Sequence, residues 1–76
     1  MKELLLYIAQ NLVDEPDQVV VNEIEKDDET VYELHVAPGD MGKVIGRQGK
    51  IAKEIRVLMR SVAQKQGKYV SVDIVD

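Results

Sequence analysis

Between residues 42 and 56 the chain reads Gly42-Lys43-Val44-Ile45-Gly46-Arg47-Gln48-Gly49-Lys50-Ile51-Ala52-Lys53-Glu54-Ile55-Arg56, and two apolar helical segments meet there across four residues. Asp40, just upstream, is a favourable N-cap, which predicts a short helix reaching about Ile45. Gly46 to Gly49 interrupts it. A longer helix then runs from Lys50 to about Gln66, with Ile51, Ile55, Leu58, Met59 and Val62 as its apolar stripe. Gly67 is placed to end it. Glycine at 46 and 49 allows a sharp turn and lets the backbone come within hydrogen-bonding reach of a phosphodiester. The following helix starts near Gly49, so its unpaired N–H groups and positive dipole end face the same place. Arg47 and Lys50 add full charges to those partial ones, and Lys43 flanks the loop. Down the longer helix, Lys50, Lys53, Arg56 and Arg60 recur every three or four residues, one basic stripe opposite the apolar one.

The periodicities on either side are equally readable. Met1, Leu4, Leu5, Ile8 and Leu12 predict an amphipathic helix over residues 2–14, stopped by Pro16. Gln18 to Glu25 is β-branched and predicts a strand whose inward face is either Val19 and Val21 or Val20 and Ile24. After the charged turn Lys26-Asp27-Asp28-Glu29, Thr30 to Ala37 alternates. Tyr32, Leu34 and Val36 share one face, and Val31, Glu33 and His35 the other. Pro38-Gly39 ends that strand, and Tyr69 to Val75 alternates again, with Val70, Val72 and Ile74 together. The order α-β-β-α-α-β gives an antiparallel hairpin and then a right-handed two-helix crossover between parallel strands. The expectation is an α+β fold, a single domain over residues 1–76. It has a three-stranded mixed sheet with residues 30–37 central, three helices on one face and the other face open.

Composition narrows the function. Seventy-six residues allow one domain with a thin core. With 45% apolar and 32% charged residues, the chain is globular and not disordered. It has no cysteine, which excludes a disulfide scaffold and cysteine-ligated zinc. The single histidine, His35, builds neither a metal cage nor a nucleophilic triad. Asp27-Asp28-Glu29 lacks calcium-loop spacing and reads as a solvated turn. An enzyme is therefore the weakest reading, and no cofactor or small-molecule substrate is indicated. The apolar runs are too short for a membrane span, and no signal-peptide pattern opens the chain, so a cytoplasmic protein is expected. The net charge of −4 hides an asymmetry: residues 1–40 carry two basic and eleven acidic side chains, residues 41–76 eight basic and three acidic. That polarity points to an anionic partner on one side. With a Debye length of about 8 Å at physiological salt, such a partner feels the nearer, basic face.

Each feature alone has a plainer reading. At about 7% glycine, a chain of this length shows G-x-x-G by chance roughly a third of the time. Gly39-Asp40-Met41-Gly42 is a second instance, and its central acid would repel phosphate. A basic helix face is commonly just solvated, and glycines between helices are commonly just a turn. Their coincidence with the charge asymmetry favours a clamp on a single-stranded nucleic-acid backbone. A nucleotide-binding P-loop fails, because Ile51 follows Lys50 and Val44 stands in place of the first glycine; Val44 also defeats the dinucleotide fingerprint. Tyr7, Tyr32 and Tyr69 are the only aromatics, whereas base-stacking sheets need exposed rings on adjacent strands. Tyr32 and Tyr69 are expected in core or interface packing, which leaves weak base discrimination through hydrogen bonds and shape.

Val44-Ile45-Gly46-Arg47-Gln48-Gly49 followed by Ile55-Arg56, in this element order, resembles a KH domain of type II topology. Met1-Lys2-Glu3-Leu4, Val20-Val21-Asn22-Glu23-Ile24 and Val72-Asp73-Ile74-Val75 are similar to the small single-KH bacterial RNA-binding proteins. Ala52 departs from the general pattern, which usually has a large aliphatic there. The resemblance implies a non-catalytic binder of single-stranded RNA, with single-stranded DNA an open alternative. The strand would lie in a groove between the two helices and a sheet edge, about four nucleotides gripped by the loop. Gly46, Arg47, Gln48 and Gly49 are then implied at the phosphates, Lys43 and Lys50 reinforce them, and Lys53 and Arg56 extend the basic face. Val44, Ile45, Ile51 and Ile55 support bases or belong to the core, the reading that periodicity favours. The resemblance also implies self-association, a larger KH-containing protein partner, and work as an RNA chaperone or post-transcriptional regulator tied to cell shape and envelope upkeep. The rival reading is a protein-interaction module that acts by homo- or heterodimerisation through the open sheet face and the acidic first half.

Overall fold

The computed structural model describes residues 1–75; Asp76, the last residue of the expected domain, lies outside the described residues. The first helix, α1 (Lys2–Leu12), buries Leu5 and Ala9 and rests Leu4, Ile8 and Leu12 against the margin of the core. It stops two residues short of the expected end, because Val13 is already extended at ψ 162°. A single 3₁₀ turn at Pro16–Gln18 follows, with the proline at its start, where a missing N–H costs nothing.

Strands β1 (Val20–Glu25), β2 (Thr30–His35) and β3 (Val70–Val75) form one sheet in the order β1-β2-β3. β1 and β2 are antiparallel, β2 and β3 parallel, and β2 is central, as the topology argument predicts. Val21 lies opposite Leu34, which in turn pairs with Ile74; Tyr32 sits between Glu23 and Val72. This register settles the ambiguous strand. Val19 and Val21 are buried, while Val20 and Ile24 lie exposed on the open face, since a one-residue slip would invert the whole set.

Helices α2 (Met41–Ile45) and α3 (Lys50–Lys65) make the crossover. Leu5, Leu34, Val44 and Met59 fill the centre of the core. The inward face of α3 is Ala52, Ile55, Met59 and Ala63, so the expected apolar stripe is displaced: Leu58 is 45% exposed. The two alanines explain the shift, because small side chains let α3 settle closely on the rest of the core, and Ala52 is buried where the general pattern has a larger residue. Gly67 closes α3 at φ 68°, with its own N–H bonded to Gln64 O and that of Lys68 to Ala63 O, a Schellman cap. The result is the α+β, type II KH arrangement.

Candidate nucleic-acid interface

Gly46 joins α2 to a 3₁₀ turn at Arg47–Gly49, and its φ 77°, ψ 175° lie in a region that glycine alone occupies. A Cβ there would stand 2.6 Å from Ile51 Cγ1 and 2.9 Å from Ile51 N. Ile51 thus packs beneath Gly46 and pins the loop to the first turn of α3. Gln48 (φ 58°, ψ 25°) and Gly49 (φ 75°, ψ 14°) follow as two left-handed residues in succession. For glutamine that conformation costs about 1 kcal/mol. Space around Gly49 is open, so the demand for glycine there is one of dihedral angle and not of room.

This path leaves Arg47 and Gln48 exposed at the tip. The Gly46 N–H donates to Gly42 O at 2.9 Å and that of Gly49 to Gly46 O at 3.2 Å. Among the described residues, no backbone carbonyl takes the amides of Arg47 or Gln48. Two unpaired donors and a guanidinium on a fixed turn suit an oxyanion.

The remaining site residues divide into surface and support. Val44 has no exposed surface and Ile55 almost none, so both hold the loop and α3 from beneath; Ile45 and Ile51 alone of the four aliphatics offer apolar surface at the loop. Lys43 Nζ lies 3.3 Å from Asp14 Oδ2. Arg47, Lys50, Lys53, Arg56 and Arg60 have no carboxylate within ion-pair distance among the described residues. Arg56 Nε donates to Val72 O at 3.0 Å and Arg60 Nε to Arg56 O at 3.3 Å. Lys50 and Lys53 line a separate concavity with Val57 and Leu58, whereas Arg56 and Arg60 lean towards β3 and do not stand opposite the buried face. A groove of about 520 Å³ lies between α3 and β3, lined in part by Arg56, Arg60 and Val70 to Asp73.

Two features of this region escape the sequence. Asp40 is 3% exposed, and its carboxylate accepts the N–H groups of Asp14 (3.2 Å) and Glu15 (3.0 Å) instead of capping α2. The reason is that the turn at Pro38–Asp40 runs straight into α2, so the side chain reaches back to the segment after α1. The other is Tyr69, which is 74% exposed and so lies outside the core, one of the two places expected for it. Tyr32 is buried as expected; burial first, then Glu23, Glu25 and Glu3, pushes its phenol above the ordinary tyrosine value.

Comparison with known proteins identifies the family. The family model described as "KhpA/KhpB, KH domain" matches residues 2–74. A protein of Caldanaerobacter subterraneus named RNA-binding protein KhpA is 53% identical over 99% of this chain and all of its own length. Proteins of the same name in Clostridium perfringens and Chlamydia trachomatis are 51% and 46% identical, over 99% and 100% of this chain and 100% and 97% of theirs. Among solved structures, Aquifex aeolicus Era bound to GDP·AlF4− superposes with a TM-score of 0.68 at 22% identity. That match covers 96% of this chain and 28% of the other, and it supports the fold alone.

Proposed function

The chain belongs to the KhpA/KhpB family of KH domains, and on that premise we propose that it is a non-catalytic binder of single-stranded RNA that grips the strand with the Gly46–Gly49 loop. The observation that carries the reading is the loop itself: the unpaired amides of Arg47 and Gln48, held where a Cβ at Gly46 would clash with Ile51, beside Arg47 and Lys50, which have no acidic partner among the described residues. Phosphates meet Arg47, the two amides and Lys50; Lys53 and Arg56 draw the strand along α3; Ile45 and Ile51 present apolar surface to a base. Lys43 joins them by leaving Asp14. The same reading extends to cytoplasmic work as an RNA chaperone or post-transcriptional regulator with effects on cell shape.

In a polarisation assay with a labelled single-stranded RNA, Arg47→Asp combined with Gln48→Asp abolishes binding while circular dichroism stays that of the parent. Unchanged affinity rejects the loop as the site. A DNA strand of the same sequence in competition measures how far the ribose matters.

A second reading, pairing with another protein, is favoured by apolar side chains left exposed on the open sheet face (Val20, Ile24) and on the outer side of α3 (Val57, Leu58). The partner is a second copy or a larger, KhpB-like chain with its own KH domain. Native mass spectrometry then finds dimers or mixed complexes; monomer alone at micromolar concentration, with such a partner present, removes this reading.

A further inference from the structure

Tyr69 stands at the end of the basic groove opposite the loop. α3 spans about 24 Å from Lys50 to Lys65. Along it Arg56 and Arg60 lead to Lys68 and Tyr69, where β3 begins. The ring is 74% exposed, yet its backbone is fixed, because Tyr69 O accepts the Thr30 N–H at 3.0 Å. That bond sets Tyr69 beside Glu29, and the two residues together line the groove and two further concavities of about 490 and 260 Å³. Glu29 has no ion-pair partner among the described residues.

An exposed ring on a fixed backbone suits a base, which stacks on any aromatic face. Asp27, Asp28 and Glu29 outnumber Lys26 around it and disfavour phosphate, so a strand reaching this corner presents a base there and keeps its backbone towards Arg60 and Lys68. A carboxylate only accepts hydrogen bonds. Guanine alone among the four bases offers two adjacent N–H donors, N1–H and N2–H, to the two oxygens of one carboxylate. We propose that Tyr69 and Glu29, juxtaposed at the end of the α3–β3 groove, form a nucleobase subsite in which a guanine stacks on the ring and donates to the carboxylate. The proposal rests on the RNA-binding reading above and extends it by one specificity element.

The test is polarisation binding of the full chain to labelled octauridylate and to two variants carrying one guanine, at the 5′ or the 3′ end. One guanine-ended strand binds about tenfold more tightly than octauridylate, the scale of the hydrogen bonds to a charged group that uracil cannot match. Tyr69→Ala and Glu29→Gln each abolish that preference, Tyr69→Trp retains it, and Tyr69→Ala leaves the salt slope unchanged because stacking releases no counterions. The subsite is overturned, and the loop reading stands, if octauridylate binding is lost in the Arg47→Asp, Gln48→Asp variant but neither guanine end is preferred, or the preference survives Tyr69→Ala. Octauridylate binding that is absent, or indifferent to the loop substitutions, overturns both.

Discussion

A side chain at residue 46 would have to move Ile51 or the first turn of α3, and the backbone there also sits where only glycine is relaxed. Gly46→Ala therefore costs about 3 kcal/mol in urea denaturation, combining strain and overpacking. Gly49→Ala, with open space and an ordinary left-handed dihedral, costs about 1 kcal/mol, and Gln48→Gly costs nothing or stabilises slightly. Equal losses at 46 and 49 would contradict this account of the loop. The need for glycine was legible in the sequence, but its reason was only half so. The close approach expected towards phosphate is in the first place an approach of Gly46 to Ile51. Asp40 teaches the converse: its identity suggested a cap, and its partners, the amides of Asp14 and Glu15, are set by a tertiary contact no local pattern reports.

At the scale of elements, period and punctuation were enough to place all three strands and all three helices, since each buries one face of a two- or 3.6-residue repeat. What they could not supply was rotation. The inward face of β1 depends on Val21 meeting Leu34, and that of α3 on two alanines that let the helix settle close, which leaves Leu58 outside. That rotation decides where the cations lie. Arg56 reaches Val72 O, so the basic side of α3 and the edge of β3 act as one surface. Replacing Lys53 and Arg60 together by alanine should lower the slope of log affinity against log salt by about 1.4, two single-strand phosphate contacts at about 0.7 each. An unchanged slope would mean that the strand does not follow α3.

Across the whole molecule, charge is sorted along the chain and across the fold. Glu3, Glu23 and Glu25 lie near Tyr32, whose phenol they help to hold above the ordinary tyrosine value, and Asp27, Asp28 and Glu29 make the hairpin turn. Basic side chains gather on the loop and α3, and Asp14 reaches across to hold Lys43. A net charge of −4 thus describes no surface that a polyanion meets. Tyr69, where the acidic turn and the basic groove touch, was legible only as the start of an alternating strand, on the side away from Val70, Val72 and Ile74; its neighbours there, Glu29 and the basic end of α3, are set by tertiary contacts. The binding face itself is open to direct observation. Amide chemical shifts followed by NMR during titration with single-stranded RNA should move most at Gly46, Arg47, Gln48, Gly49 and Lys50, and then along Lys53 and Arg56. Shifts confined to Val20, Ile24 and Val31 on the open sheet face, with the loop silent, would contradict the account.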